Sequence, residues 1–405
     1  SMYKHLIEKI NSNQTFMFSL LIFSFFLHLQ LRTPLNGILL YILLSLFSAL
    51  LLVNVKNIKQ SFQKNSSLNY LLLLNFWAFL SIFWSETSAL SLYRFYYQIL
   101  MLLSVAYILH SLNYKKREKV LLVFFYVLLV IDLFVIAFIP SLGQMGNGIS
   151  GLHYHKNQLG GILAIISVFF YFSSQSTIKK KSFSLILIAV CFLIGAKTAF
   201  FTAFICILMP LILKYLMSYF KFNSLLYVVK CLSILLLFIV FILVPLYIEN
   251  ILDFFVYDLP PEILTGRGAI WSLALSSLDS FYVGEGFSSF WQVDESVSVV
   301  AANAIDNETM WFLKIEQAHN GYIDMLLSLG AVGVFLLMLL IYKSLINSLI
   351  AFRYGNLLPL SIWLLTILFN FTETSFMYYF SPTWFVFLLY TVPAYEKLDK
   401  DNSDV

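Results

Sequence analysis

A chain of 405 residues that is 60% hydrophobic and 11% charged, with a mean hydropathy of +0.85, is not a soluble globular protein. Apolar runs of about 17 residues or more recur from end to end, which marks an all-α, polytopic integral membrane protein. The formal charge of +4 says little by itself, points to no nucleic-acid partner, and matters mainly through its distribution.

In chain order, Ser1 before Met2 reads as a tag remnant and is set aside. The first apolar run, Phe16 to Leu31, follows Lys4 and Lys9 and lacks a small-residue cleavage site, so it reads as a retained span. About twelve spans are expected, near residues 15–31, 36–54, 68–84, 94–111, 118–139, 157–173, 182–196, 198–217, 224–248, 321–343, 355–371 and 376–393. Their connections alternate in charge. Lys4/Lys9, Lys56/Lys59/Lys64, Lys115/Lys116/Arg117/Lys119, Lys179/Lys180/Lys181, Lys214/Lys221, Lys343/Arg353 and Lys397/Lys400, with Lys230, put 19 of the 25 Lys and Arg residues on one side. The positive-inside rule makes that side cytoplasmic, with both termini inside. Three regions follow: spans one to nine over 1–248, one large extracytoplasmic loop over 249–320, and spans ten to twelve with a cytoplasmic tail over 321–405.

The outer side receives Arg32, Arg94, Lys156, Lys197, Arg267 and Lys314, where the rule disfavours cations. Arg32 and Lys314 read as an interfacial anchor and a solvated loop charge. The other four coincide with span ends. Arg94 opens the fourth span. His153, His155, Lys156 and Asn157 precede the sixth, whose start carries Gly160-Gly161. Lys197-Thr198 lies in the turn between spans seven and eight, and Arg267 follows Thr265-Gly266. Cations gathered on one aqueous face suit a phosphate or pyrophosphate delivered at the membrane surface, and arginine's fork binds phosphate bidentately. Simpler readings stay open: His155-Lys156-Asn157 also makes an ordinary polar helix cap, and Lys197 also suits snorkelling to the headgroups. Asp132 and Lys230 lie inside apolar runs, where ionisable groups are costly, and the sequence offers neither a partner.

The loop over 249–320 is rich in acids, from Asp253 to Glu316, yet keeps Ile270, Trp271, Leu273, Leu275 and Leu278. Arg267 to Leu278 is expected to form a helix lying in the interface, closed by a turn at Gly284 and Gly286. Asp306-Asn307-Glu308 is the nearest approach to a carboxylate metal motif and reads as a solvated charge run. Cys191, Cys206 and Cys231 all lie in apolar runs, which supports neither a disulfide framework nor a metal site. GxxxxGK[ST], CxxC and HExxH patterns are absent, against ATP-driven or zinc-dependent work.

At the end of the loop, Gln317-Ala318-His319-Asn320-Gly321-Tyr322 opens the tenth span, which carries Gly330 and Gly333. At about 100° per residue, positions 319, 330 and 333 fall on one helical stripe open to a neighbouring helix. An imidazole titrates near pH 6.5, and the positive end of a helix disfavours its protonated form. A neutral imidazole beside bound cations is what a general base for a hydroxyl requires. A polar helix-end histidine is the plainer alternative.

His319-Asn320, nine residues, Gly330, two residues and Gly333 resemble the hallmark of the bacterial O-antigen ligase and polymerase superfamily of membrane glycosyltransferases. Thr265-Gly266-Arg267, Trp271, Gly284-Glu285-Gly286-Phe287 and His155-Lys156-Asn157 are similar to further family elements. Many members carry an arginine where this chain has Lys197, which keeps the charge and loses the fork. The resemblance implies an arrangement of the GT-C type in the bacterial cytoplasmic (inner) membrane, and a metal-independent, inverting transfer that uses no cofactor. The donor would be an undecaprenyl-pyrophosphate-linked oligosaccharide and the acceptor a lipid-linked sugar or lipid A-core, with a chain-length regulator as a further partner. In that reading His319 is the base. Arg94, Lys197 and Arg267 hold the pyrophosphate, Asn320 orients the histidine or acceptor, and Glu373 positions a cation. His-Asn-Gly-Tyr and Gly-Phe-Ser-Ser-Phe-Trp (286–291) look more like the polymerase branch than the ligase branch; a protein O-oligosaccharyltransferase is a third reading. A lipid-linked oligosaccharide flippase or a transporter would show charges near the midplane, whereas these crowd one surface.

Overall fold

A computed structural model describes residues 37–145, 148–153, 155–254, 267–291, 315–378 and 381–393. The expected first span, Arg32, Lys314 and Asp306-Asn307-Glu308 lie outside the described residues. The fold is helical: α1 (Gly37–Val53), α2 (Val55–Lys64), α3 (Ser67–Ser81), α4 (Ser88–Ser111), α5 (Tyr114–Phe138), α6 (Lys156–Phe172), α7 (Ile178–Leu193), α8 (Lys197–Leu216), α9 (Phe222–Phe238), α10 (Ile248–Asp253), α11 (Arg267–Ser276), α12 (Gly321–Arg353), α13 (Leu358–Phe369) and α14 (Pro382–Thr391). Residues 144–145 and 148–149 add one two-residue antiparallel pairing.

Six helical stretches among the described residues are long and apolar enough to cross a membrane: Ser67–Trp84, α4, α5, α8, Phe222–Leu246 and α12. Three shorter apolar helices, α6, α13 and α14, complete the bundle centre. Apolar side chains point outward as well as inward: α9 buries none of its residues, the surface expected where lipid is the solvent.

The inner core joins α3, α4, α6, α12 and α14, whose Trp384, Tyr390, Phe169 and Phe387 are fully buried. Close approach relies on small residues. Gly160 on α6 leaves room for Ala196 and Ala199, and Gly161 for the ring of Phe369. This packing brings the start of α6 against the end of α13, where Glu373 follows.

Asp132, without a partner in the sequence reading, has one in the fold. Its Oδ1 accepts from Leu152 N at 3.0 Å and its Oδ2 lies 3.3 Å from His153 Nε2, both groups buried. Gly151, at φ 58°, gives the carboxylate room, since an added Cβ would sit 2.5 Å from Asp132 Oδ1. A carboxylate inside a span thus anchors the loop that leads into His155-Lys156-Asn157. Lys230 is exposed on α9.

The stripe expected to join His319, Gly330 and Gly333 on one helix does not form. Asn320 is the N-cap, its Oδ1 accepting from Tyr322 N at 3.0 Å and Ile323 N at 3.2 Å, so His319 lies outside the helix. Gly330 then breaks α12 with φ 65° and ψ −171°, a conformation open only to glycine. A break inside a span frees backbone groups that must find partners, and the loop after α11 supplies them. Glu285 N donates to Leu327 O at 2.8 Å and Gly286 N to Ser328 O at 3.0 Å, while Ala331 N donates to Phe281 O at 2.8 Å and Val332 N to Tyr282 O at 3.2 Å. Trp77 Nε1 reaches Leu329 O at 2.9 Å. The expected turn at Gly284 and Gly286 is present, with φ 69° and 99°, and it serves as the clasp of this broken helix.

Candidate active site

Glu373, in the turn after α13, is the meeting point of the expected site residues. Its Oε2 lies 3.3 Å from His319 Nδ1, and its Oε1 accepts from Asn157 Nδ2 at 3.2 Å and from Arg267 NH2 at 3.5 Å. Arg267, at the start of α11, also donates through NH1 to Thr372 O at 2.6 Å. Three separate parts of the chain, at residues 157, 267 and 319, therefore converge on one carboxylate.

Local sequence explains the convergence. Asn370 Oδ1 accepts from Ser375 N at 2.9 Å and Phe376 N at 3.1 Å, closing the turn that carries Glu373. Gly321 N donates to Asn370 O at 2.8 Å, and any Cβ on Gly321 would collide with Asn370 Oδ1. Glycine at 321 thus sets the turn against the start of α12, immediately beside His319. Trp271 Nε1 donates to Ala318 O at 2.8 Å, tying α11 to the residue preceding the histidine. The helix expected over 267–278 forms over Arg267–Ser276, and Ile270, Trp271 and Ala274 pack with Phe290, Ala318 and Leu327.

His319 Nδ1 has two neighbours that demand opposite protonation. The Glu373 carboxylate only accepts, so it requires Nδ1–H; the Gln317 amide nitrogen, 3.3 Å away, would donate to a bare Nδ1. A hydrogen bond to an ionised acceptor is the stronger of the two, which favours Nδ1–H and leaves Nε2 with its lone pair. The imidazole side chain is 37% exposed, against 14% for Glu373, so the ring is open to a ligand while its partner is sheltered.

The other expected residues divide. His155 is the N-cap of α6, its Nδ1 accepting from Asn157 N at 3.2 Å. Burial lowers its pKa; Glu373 opposes the shift, while Lys156 and His319 add to it, so the neutral cap is favoured. Lys156 extends its ammonium towards Gly195. Arg94 donates through NH1 to Ser288 O and, at 3.2 Å, to Ser288 Oγ. Lys197, at the first position of α8, is exposed and does not line the cavity described next. The fold thus gathers Arg267, Asn157 and His319 on Glu373, sets Arg94 on the cavity that Asn157 and Glu373 line, and leaves Lys197 off that cavity.

That cavity, of about 490 Å³, runs between Arg94, Asn157, Trp291, Asp324, Glu373 and Tyr378. Aromatic, amide and carboxylate side chains lining one cavity suit a hydroxyl-rich ring such as a sugar. Among the described residues, the non-glycine positions with positive φ are Ser288 (54°), His319 (51°) and Met377 (55°). Ser288 and Met377 line the cavity and His319 holds the glutamate at its edge. Backbone strain of this kind, about 1–3 kcal/mol each, is thus concentrated at this site.

Residues 182–338 match the family model described as O-antigen ligase. This segment belongs to the O-antigen ligase and polymerase superfamily. It contains Lys197, Arg267, His319 and Asn320, together with the broken helix and its Gly284/Gly286 clasp. Arg94, His155 to Asn157 and Glu373 fall outside it, so the ligase-family region and its flanks share one site. Together with the apolar helices, the match over this segment supports a membrane protein of glycosyltransferase type. No curated protein matches the chain at a significant level.

Sequence reasoning placed Glu373 only as the holder of a cation. It missed Thr372, whose carbonyl takes Arg267, and Ser288, Gln317 and Asp324. The signal for Asp324 was present: a carboxylate at the third position of the apolar run that opens at Tyr322 is costly unless it serves the site.

Proposed function

We propose that this protein transfers a glycan from undecaprenyl pyrophosphate to a sugar hydroxyl, inverting the anomeric centre without a metal. Glu373 carries the reading, because one carboxylate contacts both His319 and Arg267. It holds the proton on Nδ1, which leaves Nε2 to take the proton of the acceptor hydroxyl. The acceptor oxygen then forms a bond to C1 of the donor sugar while the bond from C1 to the phosphate oxygen breaks. Lipid pyrophosphate leaves with that electron pair. Arg267 and Arg94 stabilise the charge that develops on it, and Lys156 and Lys197 add positive potential on the same side. The reaction belongs on the extracytoplasmic face, where charge alternation puts all of these residues.

The acceptor in this reading is a second lipid-linked repeat unit, which makes the protein a polymerase of a surface polysaccharide. His-Asn-Gly-Tyr and the 286–291 string favour it. The ligase description of the matched family favours a second reading, in which the acceptor is lipid A-core. Purified protein given donor alone tests both. Lengthening of the lipid-linked chains supports the polymerase. Transfer that requires added lipid A-core supports the ligase, and no transfer under either condition contradicts both.

A further inference from the structure

Asp324 sits in the first turn of α12, half-buried and lining the cavity wall. A carboxylate inside an apolar helix is expensive and calls for an account. No cation pairs with it among the described residues. Neutral donors surround it: Trp291 Nε1 reaches Oδ1 at 2.6 Å, Ala318 N reaches Oδ1 at 3.0 Å and Oδ2 at 3.1 Å, and Thr374 Oγ1 donates to Oδ2. Each donor lies next to a part of the site. Ala318 precedes His319, Thr374 follows Glu373, and Trp291 belongs to the cavity wall.

The pattern has a consequence for His319. Its backbone holds φ 51°, a left-handed conformation that a non-glycine residue keeps only when its surroundings impose it. The residue before it is held through both of its backbone groups: Asp324 accepts from Ala318 N and Trp271 donates to Ala318 O. The same carboxylate fixes Thr374, one residue from the glutamate that meets the imidazole. Asp324 thus spans the two chain segments whose separation sets the contact between His319 Nδ1 and Glu373 Oε2.

We infer that Asp324 is a positioning residue, which holds the strained His319 backbone and the Glu373 turn in register so that the imidazole meets its carboxylate. It does not touch the reacting atoms. The inference rests on the glycosyl-transfer reading only for its effect on rate; its effect on the imidazole is independent of any substrate.

The test uses full-length protein in nanodiscs with 15N-labelled histidine. The ring signal of His319 is identified by its loss in His319→Ala, and its response to loss of the carboxylate contact is calibrated with Glu373→Gln. In Asp324→Asn the ring signal should move to the position seen in Glu373→Gln. In the donor assay kcat should fall roughly 10²-fold with donor KM within about 3-fold, the cost of a misplaced catalytic group. Adding Glu373→Gln to Asp324→Asn should lower kcat no further. An unchanged ring signal in Asp324→Asn overturns the inference whatever the reaction is, whereas a moved signal with unchanged kcat upholds the positioning and contradicts the catalytic role given to the His319–Glu373 contact. If wild-type protein transfers nothing, the glycosyl-transfer reading fails while the ring signal still decides the role of Asp324. Should Asp324→Asn not fold, Thr374→Val removes one donor and leaves the carboxylate. It should shift the same signal part of the way, and no shift overturns the inference.

Discussion

His319 and Glu373 stand 54 residues apart in the chain, and their side chains meet at 3.3 Å, Nδ1 to Oε2. The contact joins the start of α12 to the turn after α13 and fixes which imidazole nitrogen carries the proton. A carboxylate that orients a histidine and stabilises its protonated form is a recurring device for general-base catalysis. Here the same carboxylate also contacts the arginine assigned to the leaving group.

Glu373→Gln tests that device. Glutamine keeps an acceptor for one partner but not the charge, so the imidazolium formed as the hydroxyl is deprotonated loses its stabilising neighbour. Turnover should fall by roughly 10²-fold. Donor KM should move less, because Arg267 keeps its 2.6 Å bond to Thr372 O. Steady-state transfer rates with varied donor separate the two effects.

The broken helix gives a stability prediction with an internal control. Gly330→Ala puts a Cβ against the Tyr282 carbonyl, and Gly284→Ala puts one 2.6 Å from Gly330 N. Each should lower unfolding free energy by at least about 1–3 kcal/mol, visible as a lower thermal midpoint in detergent. Gly355 also has positive φ, 89°, but nothing lies within 4 Å of its added Cβ. Gly355→Ala should cost about 1–2 kcal/mol, the backbone term alone.

His155 predicts a pH dependence. Its pKa is lowered in the folded protein, chiefly by burial, so the folded state binds fewer protons there than the unfolded chain. The cap's contribution is therefore fully present above the unfolded value near 6.5 and is lost as pH falls through the lower folded value. His155→Asn keeps a capping side chain that does not titrate. Thermal midpoints followed from pH 7.5 down to about pH 5 should fall less steeply in the variant than in the wild type.

Hydropathy made the long helices legible, because a lipid-facing helix must be largely apolar, as α9 is apart from Lys230 and a few small polar residues. The His-Asn pair and Gly330 were visible as punctuation in an apolar run, and charge alternation put the cations on one side. What the punctuation meant was not visible. A helical wheel assumes regular backbone, so it turned Gly330 into one more packing position, whereas the glycine ends one half-helix and begins another. Its partners, Phe281, Tyr282, Glu285 and Gly286, lie some 45 residues earlier in the chain. Glu373 could be guessed to hold a cation, but its meeting with His319 depends on how Asn370 closes a turn against Gly321. Asp132 lacked a partner for the same reason: His153 reaches it through a loop that only the fold brings back. Lys197 shows the opposite limit, since its charge and position drew attention while the fold leaves it exposed and off the cavity.

The most direct test of the central claim is single-turnover transfer by His319→Ala with lipid-linked donor at neutral pH. The account predicts a loss of roughly 10²–10⁴-fold in the rate of the chemical step, with donor still bound because Arg267 and Arg94 are intact. Transfer at a rate near that of the wild type would contradict it.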